Sequence, residues 1–117
     1  MRYVLMALAE GGDAAPLCDD TAALDRYEQE LVRAGVLLAA EALEPADSGT
    51  RIHFDGEERI LSRIPPAPSE TGAAGGRVEG LWMLQTAGED EALEWARRLP
   101  LTRGTVDVRR VAGGGRR

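Results

Sequence analysis

Four side chains in this sequence could do chemistry, and each sits in a different setting. Glu41 is the only charge in the run Val36-Leu37-Leu38-Ala39-Ala40-Glu41-Ala42-Leu43. Burial of a carboxyl group disfavours its charged form. A carboxyl group in such a run therefore suits general acid/base catalysis or the anchoring of a polar ligand. The plainer alternative is a structural carboxylate, hydrogen-bonded to backbone or paired with an arginine. Glu70 follows Pro65-Pro66-Ala67-Pro68-Ser69 in a stretch rich in proline and glycine. It could reach into a cleft as a base, although a glutamate in a surface loop is more commonly just solvated. His53 is the single histidine and alternates with Ile52 and Phe54, so it should face water. A proton shuttle there would need a placed partner. Cys18 precedes Asp19 and Asp20, and neighbouring negative charge disfavours a nucleophilic thiolate.

One histidine and one cysteine fall short of the three or four nitrogen and sulfur ligands that zinc takes. No carboxylate spacing marks a magnesium site, so no metal is expected. No cofactor is expected either. Gly75-Gly76 fits neither a phosphate-binding loop nor a dinucleotide fingerprint, and there is no Gly-x-Ser-x-Gly elbow. Tyr3 and Trp82 are the aromatic residues best placed to stack on a ligand, with core or dimer packing as the alternative.

These residues must be positioned by strands and helices that the hydrophobic pattern makes visible. Gly80-Leu81-Trp82-Met83-Leu84-Gln85-Thr86 reads as a central β-strand with two apolar faces, Leu81 and Met83 on one and Trp82 and Leu84 on the other. Tyr3 to Ala9 is a second strand of this kind, and the two should be neighbours. A helix from Thr21 to Ala34 presents Leu24, Tyr27 and Leu31 as its apolar stripe. Asp25, Arg26, Glu28, Glu30 and Arg33 supply its wet face. Asp19, Asp20 or Thr21 caps its start, and Gly35 ends it. Val36 to Leu43 reads as a strand, because the glycine before it and Pro45 after it leave little room for a helix.

Thr50 to Phe54 and Glu57 to Arg63 flank Asp55-Gly56, a strong hairpin signal of the type I′ turn. Ile52, Phe54 and Ile60 should form the apolar face of this hairpin, continued by Ile64. Pro65 to Arg77 is a loop. A second helix opens at Gly88-Glu89-Asp90-Glu91, buries Ala92, Leu93, Ala96 and Leu99, and closes at Pro100. Thr105 to Val111 alternates as a half-exposed strand does. The order is βαββαβ with an inserted hairpin, the ferredoxin-like α+β plan. One domain over residues 1–112 and a short tail over 113–117 are expected.

The chain has 117 residues, 14 Lys and Arg, 20 Asp and Glu, and a formal charge of −6. That balance argues against nucleic acid or an anionic membrane as the main partner. A lone cysteine and the lack of a leader-like segment fit the cytoplasm. With helices on one face of the sheet, the second apolar face of the central strands needs other cover. A homodimer packed sheet to sheet, with a small-molecule cleft between sheet and hairpin arm, meets that need.

Several segments together give the chain a family likeness. They are Tyr3-Val4-Leu5-Met6, the stretch from Leu31 through Gly35 to Leu43, Gly80-Leu81-Trp82-Met83-Leu84, the stretch from Asp90 to Pro100, and Val106-Asp107-Val108-Arg109. In this order and spacing the chain resembles the YCII-related (DGPF-domain) family of dimeric α+β barrel proteins. The resemblance implies a dimer. It also implies chemistry such as that of relatives linked to lactones or dehalogenation, or a regulatory role such as that of relatives accompanying extracytoplasmic-function sigma factors. The family's Asp-Gly-Pro-Phe segment is replaced here by Pro65-Pro66-Ala67-Pro68-Ser69-Glu70-Thr71-Gly72, which keeps Glu70-Thr71 and lacks the aspartate. Two functions follow from this reading. One is a cofactor-free isomerase or lyase with Glu41 or Glu70 as base. The other is a non-catalytic regulatory or interaction module associated with transcription.

Overall fold

The computed structural model of the protein describes residues 1–9, 16–44, 48–64 and 77–113. The elements are β1 (Arg2–Ala9), α1 (Thr21–Arg33), β2 (Leu37–Ala42), β3 (Thr50–Asp55), β4 (Glu58–Arg63), β5 (Arg77–Gln85), α2 (Glu89–Arg97) and β6 (Thr105–Arg110). Four strands form one antiparallel sheet in the order β2-β5-β1-β6, and β3 and β4 pair separately. With the inserted hairpin set aside, this is the ferredoxin-like α+β arrangement. The single chain forms an open sheet, not a closed barrel.

The two doubly apolar strands are the central neighbours, with Leu5 opposite Trp82 and Val4 opposite Met83. β5 begins at Arg77, ahead of Gly80. Its extra residues pair with Leu8 and Ala9 across an irregularity after Ala7. A strand this long costs little because its partner is already in place.

The core lies on one side of the sheet. Tyr3, Leu5, Ala7, Trp82 and Leu84 are buried there with Tyr27 and Leu31 of α1 and Ala92 of α2. Leu5, Leu31 and Leu84 are the largest side chains with no meaningful exposure. Asp20 caps α1 by accepting from the Ala23 N–H at 3.1 Å. Gly35, at φ 74°, ends the helix in the left-handed conformation that favours glycine.

α2 departs from the expected stripe. Trp95 packs against the core and Leu93 does not. Trp95 stands edge-on to Tyr27 with ring centroids 6.2 Å apart. Its carbonyl accepts the Tyr27 hydroxyl at 2.7 Å, and Arg98 lies over its indole. Burial pushes the Tyr27 hydroxyl well above its ordinary range.

The connection after α2 is latched to the one before α1. Arg103 donates to both carboxylate oxygens of Asp19, at 3.0 and 3.3 Å, and to the Pro16 carbonyl. Thr102 donates through its backbone N–H and its hydroxyl to the Leu17 carbonyl. The Arg103 hydrogen bond holds the Asp19 carboxyl below the usual carboxylate range. Gly104 sits beneath this latch at φ 85°, where a Cβ would lie 2.5 Å from the Leu8 carbonyl oxygen. No larger residue fits that approach without moving backbone.

The hairpin forms as expected, but its turn lies one residue further along the chain. Asp55 is the last residue of β3 and pairs with Glu58, so Gly56 and Glu57 make the turn. Only Gly56, at φ 61°, has positive φ, the pattern of a type II′ turn and not of type I′. Moving a two-residue turn by one position shifts the pairing by two, so even-numbered residues of β3 still face odd-numbered residues of β4. Ile52 therefore opposes Leu61, while Ile60 opposes His53 on the other side. The expected apolar set Ile52, Phe54, Ile60 becomes Ile52, Phe54, Leu61.

Candidate functional site: the uncovered face of the sheet

Side chains alternate along each strand, so the residues between the core positions all point away from the helices. The pairing arranges them in rows across the sheet. Ala39, Met83, Val4 and Arg109 make one row, and Glu41, Leu81, Met6 and Asp107 the next. Val78, Leu8 and Thr105 make a third. The centre is thus Val4, Met6, Leu8, Val78, Leu81 and Met83, all apolar. Carboxylates stand at both ends of the middle row, on the edge strands β2 and β6. With strands about 4.8 Å apart, those two ends are roughly 14 Å from each other. Val4, Met6, Leu8, Leu81 and Met83 are half-buried, and Val78 is exposed. The β2 side adds more exposed apolar surface at Leu38 and Leu43.

Glu41 is the expected site residue that this face contains. It is exposed at the sheet edge, so its strand does not bury it within one chain. β2 reads as deeply apolar in sequence, yet it is an edge strand with only β5 beside it. A pairing irregularity between Leu37 and Ala39 turns Leu38 outward, where it is 50% exposed.

Tyr3 and Trp82 are on the opposite side. Both are buried under the helices, at 4% and 5% exposure. The Trp82 indole N–H donates to a Glu28 carboxylate oxygen at 2.7 Å. Glu28 therefore does not belong to the wet face of α1. A buried indole needs an acceptor, and the residue one position past Tyr27 on α1 supplies it. Glu30 likewise bonds Arg98 at the end of α2. Only the partner's position in the fold reveals either role.

His53 is on the arm, exposed and opposite Ile60. It is not brought together with Glu41. Glu70 lies outside the described residues. Cys18 donates its S–H to the Asp20 carbonyl at 3.1 Å, next to the helix cap. Among the described residues, no group of three or more His, Cys, Asp or Glu could hold a metal ion, and no buried side-chain nitrogen or oxygen lacks a hydrogen-bond partner. No helix among the described residues is long and apolar enough to cross a membrane.

The YCII-related domain matches residues 1–113, nearly the whole length. The chain belongs to this family. That agrees with the βαββαβ order and with the sequence segments on β1, β2, β5, α2 and β6. A comparison with curated proteins finds no match. The YCII-related chain thus has a family and a fold, and its activity must be argued from its own residues.

Proposed function

We propose that this YCII-related protein works as a homodimer packed through the uncovered sheet face. In this reading it binds a small organic molecule, anionic or enolisable, beside Glu41. One observation carries the reading: Glu41 is the sole charge of β2 and points onto an apolar face beside Leu81 and Met6. A second copy over that face would remove water from the carboxylate. A carboxyl group in such a setting can hold or take a proton at a substrate carbon without a cofactor, the step an isomerase or lyase needs.

The test is a thermal-shift screen with small lactones, enols and carboxylates on the wild type, Glu41→Gln and Glu70→Gln. A compound that stabilises the wild type and not Glu41→Gln supports the site, since selective binding to the folded state raises its melting temperature. A compound lost only with Glu70→Gln moves the site to that residue. No shift with any compound ends the small-molecule reading. Light scattering tests the pairing: a monomer at micromolar concentration defeats it.

A non-catalytic interaction module associated with transcription is the second reading. The observation that favours it is the missing aspartate in the Pro65 to Gly72 segment. It predicts an empty ligand screen from a protein that still dimerises.

A further inference from the structure

Among the described residues, little of the same chain covers the β3–β4 arm. Every residue of both strands is exposed. Among the described residues, β3 and β4 pack substantially only on each other. A lone two-stranded hairpin in water is at best marginally stable, and needs a further strand, a helix or an apolar surface behind it. One face of the arm is suited to such a surface. Ile52, Leu61 and Phe54 lie together on it, with Leu61 and Phe54 each 64% exposed. The charges on that face are arginines. Arg59 lies 4.5 Å over the Phe54 ring and bonds the Gly56 and Glu58 carbonyls at the turn. Arg63 is at the base of the same face.

The chain is also less compact than its length requires. The radius of gyration is 15.8 Å, against about 13 Å for a compact chain of this length. The same chain carries an uncovered apolar sheet face whose β2 side bears Leu38, Leu43 and Glu41. A second copy therefore brings the surface the arm lacks. In a two-fold pair each copy gives one arm and receives one. The charges match as well, with arginine on the arm and a single carboxylate on β2.

We infer that the arm of each copy crosses to the other and lays Ile52, Leu61 and Phe54 over the β2 side of the partner's sheet, bringing Arg59 beside the partner's Glu41. Each small-molecule site is then built by two copies, one providing the floor and carboxylate and the other the roof and a positive charge. This rests on the sheet-face pairing proposed above, and it goes further in assigning the roof to the partner.

The test is site-directed cross-linking in a Cys18→Ala background. Phe54→Cys and Ala39→Cys chains, distinguishable by a tag, are co-expressed and oxidised, with an Asp90→Cys chain replacing the Ala39→Cys chain as control. Ala39 lies on the floor beside Met83, and Asp90 lies on α2. The expected result is a disulfide-linked mixed dimer at least tenfold above the control. If light scattering finds dimers but no cross-link forms, arm crossing is overturned while the sheet-face pairing stands. A link that forms only within one chain carrying both substitutions shows the arm folding back on its own sheet, which also overturns it. Monomers throughout overturn both. Phe54→Ser with Leu61→Ser gives an independent check: the ligand-induced thermal shift should vanish while the free protein keeps its fold.

Discussion

The helix-covered side of the sheet and the β3–β4 arm are built from similar residues and end in opposite conditions. Leu5, Trp82 and Leu84 on the first side are sealed by Tyr27, Leu31 and Ala92 from the two helices. Ile52, Phe54 and Leu61 on the arm face water in the single chain. Both regions alternate apolar side chains along strands. Apolar alternation states that a face needs cover and does not state what provides it. On the first side the cover is close in sequence, because each helix follows a strand of the sheet and folds back on it. On the arm, neither of the described helices makes a substantial contact.

The sharpest way to break that comparison is to remove one large side chain from each region. Leu84→Ala should lower stability by about 4 kcal/mol, through lost transfer energy and a cavity that the packed core cannot close. Phe54→Ala, measured at high dilution, should change it by less than about 0.5 kcal/mol, as at other exposed positions. Urea unfolding of both variants decides the matter. A loss at Phe54 comparable with that at Leu84 would mean that the arm is covered within its own chain.

Next in size is the polar anchor of the covered side. Trp82→Phe removes the N–H that Glu28 accepts and should cost about 2 kcal/mol, since a partly buried carboxylate loses a donor. Glu28→Gln keeps an acceptor and should cost under about 1 kcal/mol by the same reasoning. Equal losses in the two variants would show that packing alone matters there.

Tyr27→Phe should cost about 1 kcal/mol for the lost bond to the Trp95 carbonyl. It should also change the alkaline limb. Burial raises the Tyr27 value in the folded protein, so its contribution is intact below the unfolded value near 10 and is lost as pH climbs from there towards the folded value. Melting temperatures between pH 9 and 11 should fall more steeply for the wild type than for Tyr27→Phe.

The smallest effect belongs to the exposed latch. Arg103 holds the folded Asp19 value down, so its contribution is present above the unfolded value near 4 and is lost as pH drops below it through the folded one. Asp19→Asn should lower stability slightly at neutral pH, and its difference from wild type should close below pH 4, which flattens the acid limb. An unaltered acid limb would show that solvent screens the pair completely.

The fold was legible where local pattern and chain neighbours agree. Tyr3 to Ala9 and Gly80 to Thr86 read as adjacent central strands because both are short and apolar at every position. Gly35 read as a helix stop because its φ must be positive. The hairpin was legible as a hairpin but not in its register. Asp55-Gly56 and Gly56-Glu57 are both acceptable two-residue turns, and either one places Leu61, not Ile60, on the face of Ile52 and Phe54. Of the site, Glu41 was visible as a charge in an apolar strand. Its place at an exposed edge was not, because composition does not record which strand has a neighbour on each side.

Glu28 and Trp95 show the limit from the other direction. Helical periodicity put Glu28 with the wet residues and left Trp95 off the inner stripe. Trp82 and Tyr27 reach across from other elements and recruit both. The sequence by itself determined the elements, their order, the βαββαβ plan and the family, since these follow from periodicity and turn chemistry within short windows. Only the tertiary structure decided that Tyr3 and Trp82 are core, that Glu41 shares a sheet face with Leu81 and Met6, and that β3 and β4, among the described residues, pack substantially only on each other. Those facts depend on which residues meet across 54 to 85 positions of chain, and no local pattern carries that information.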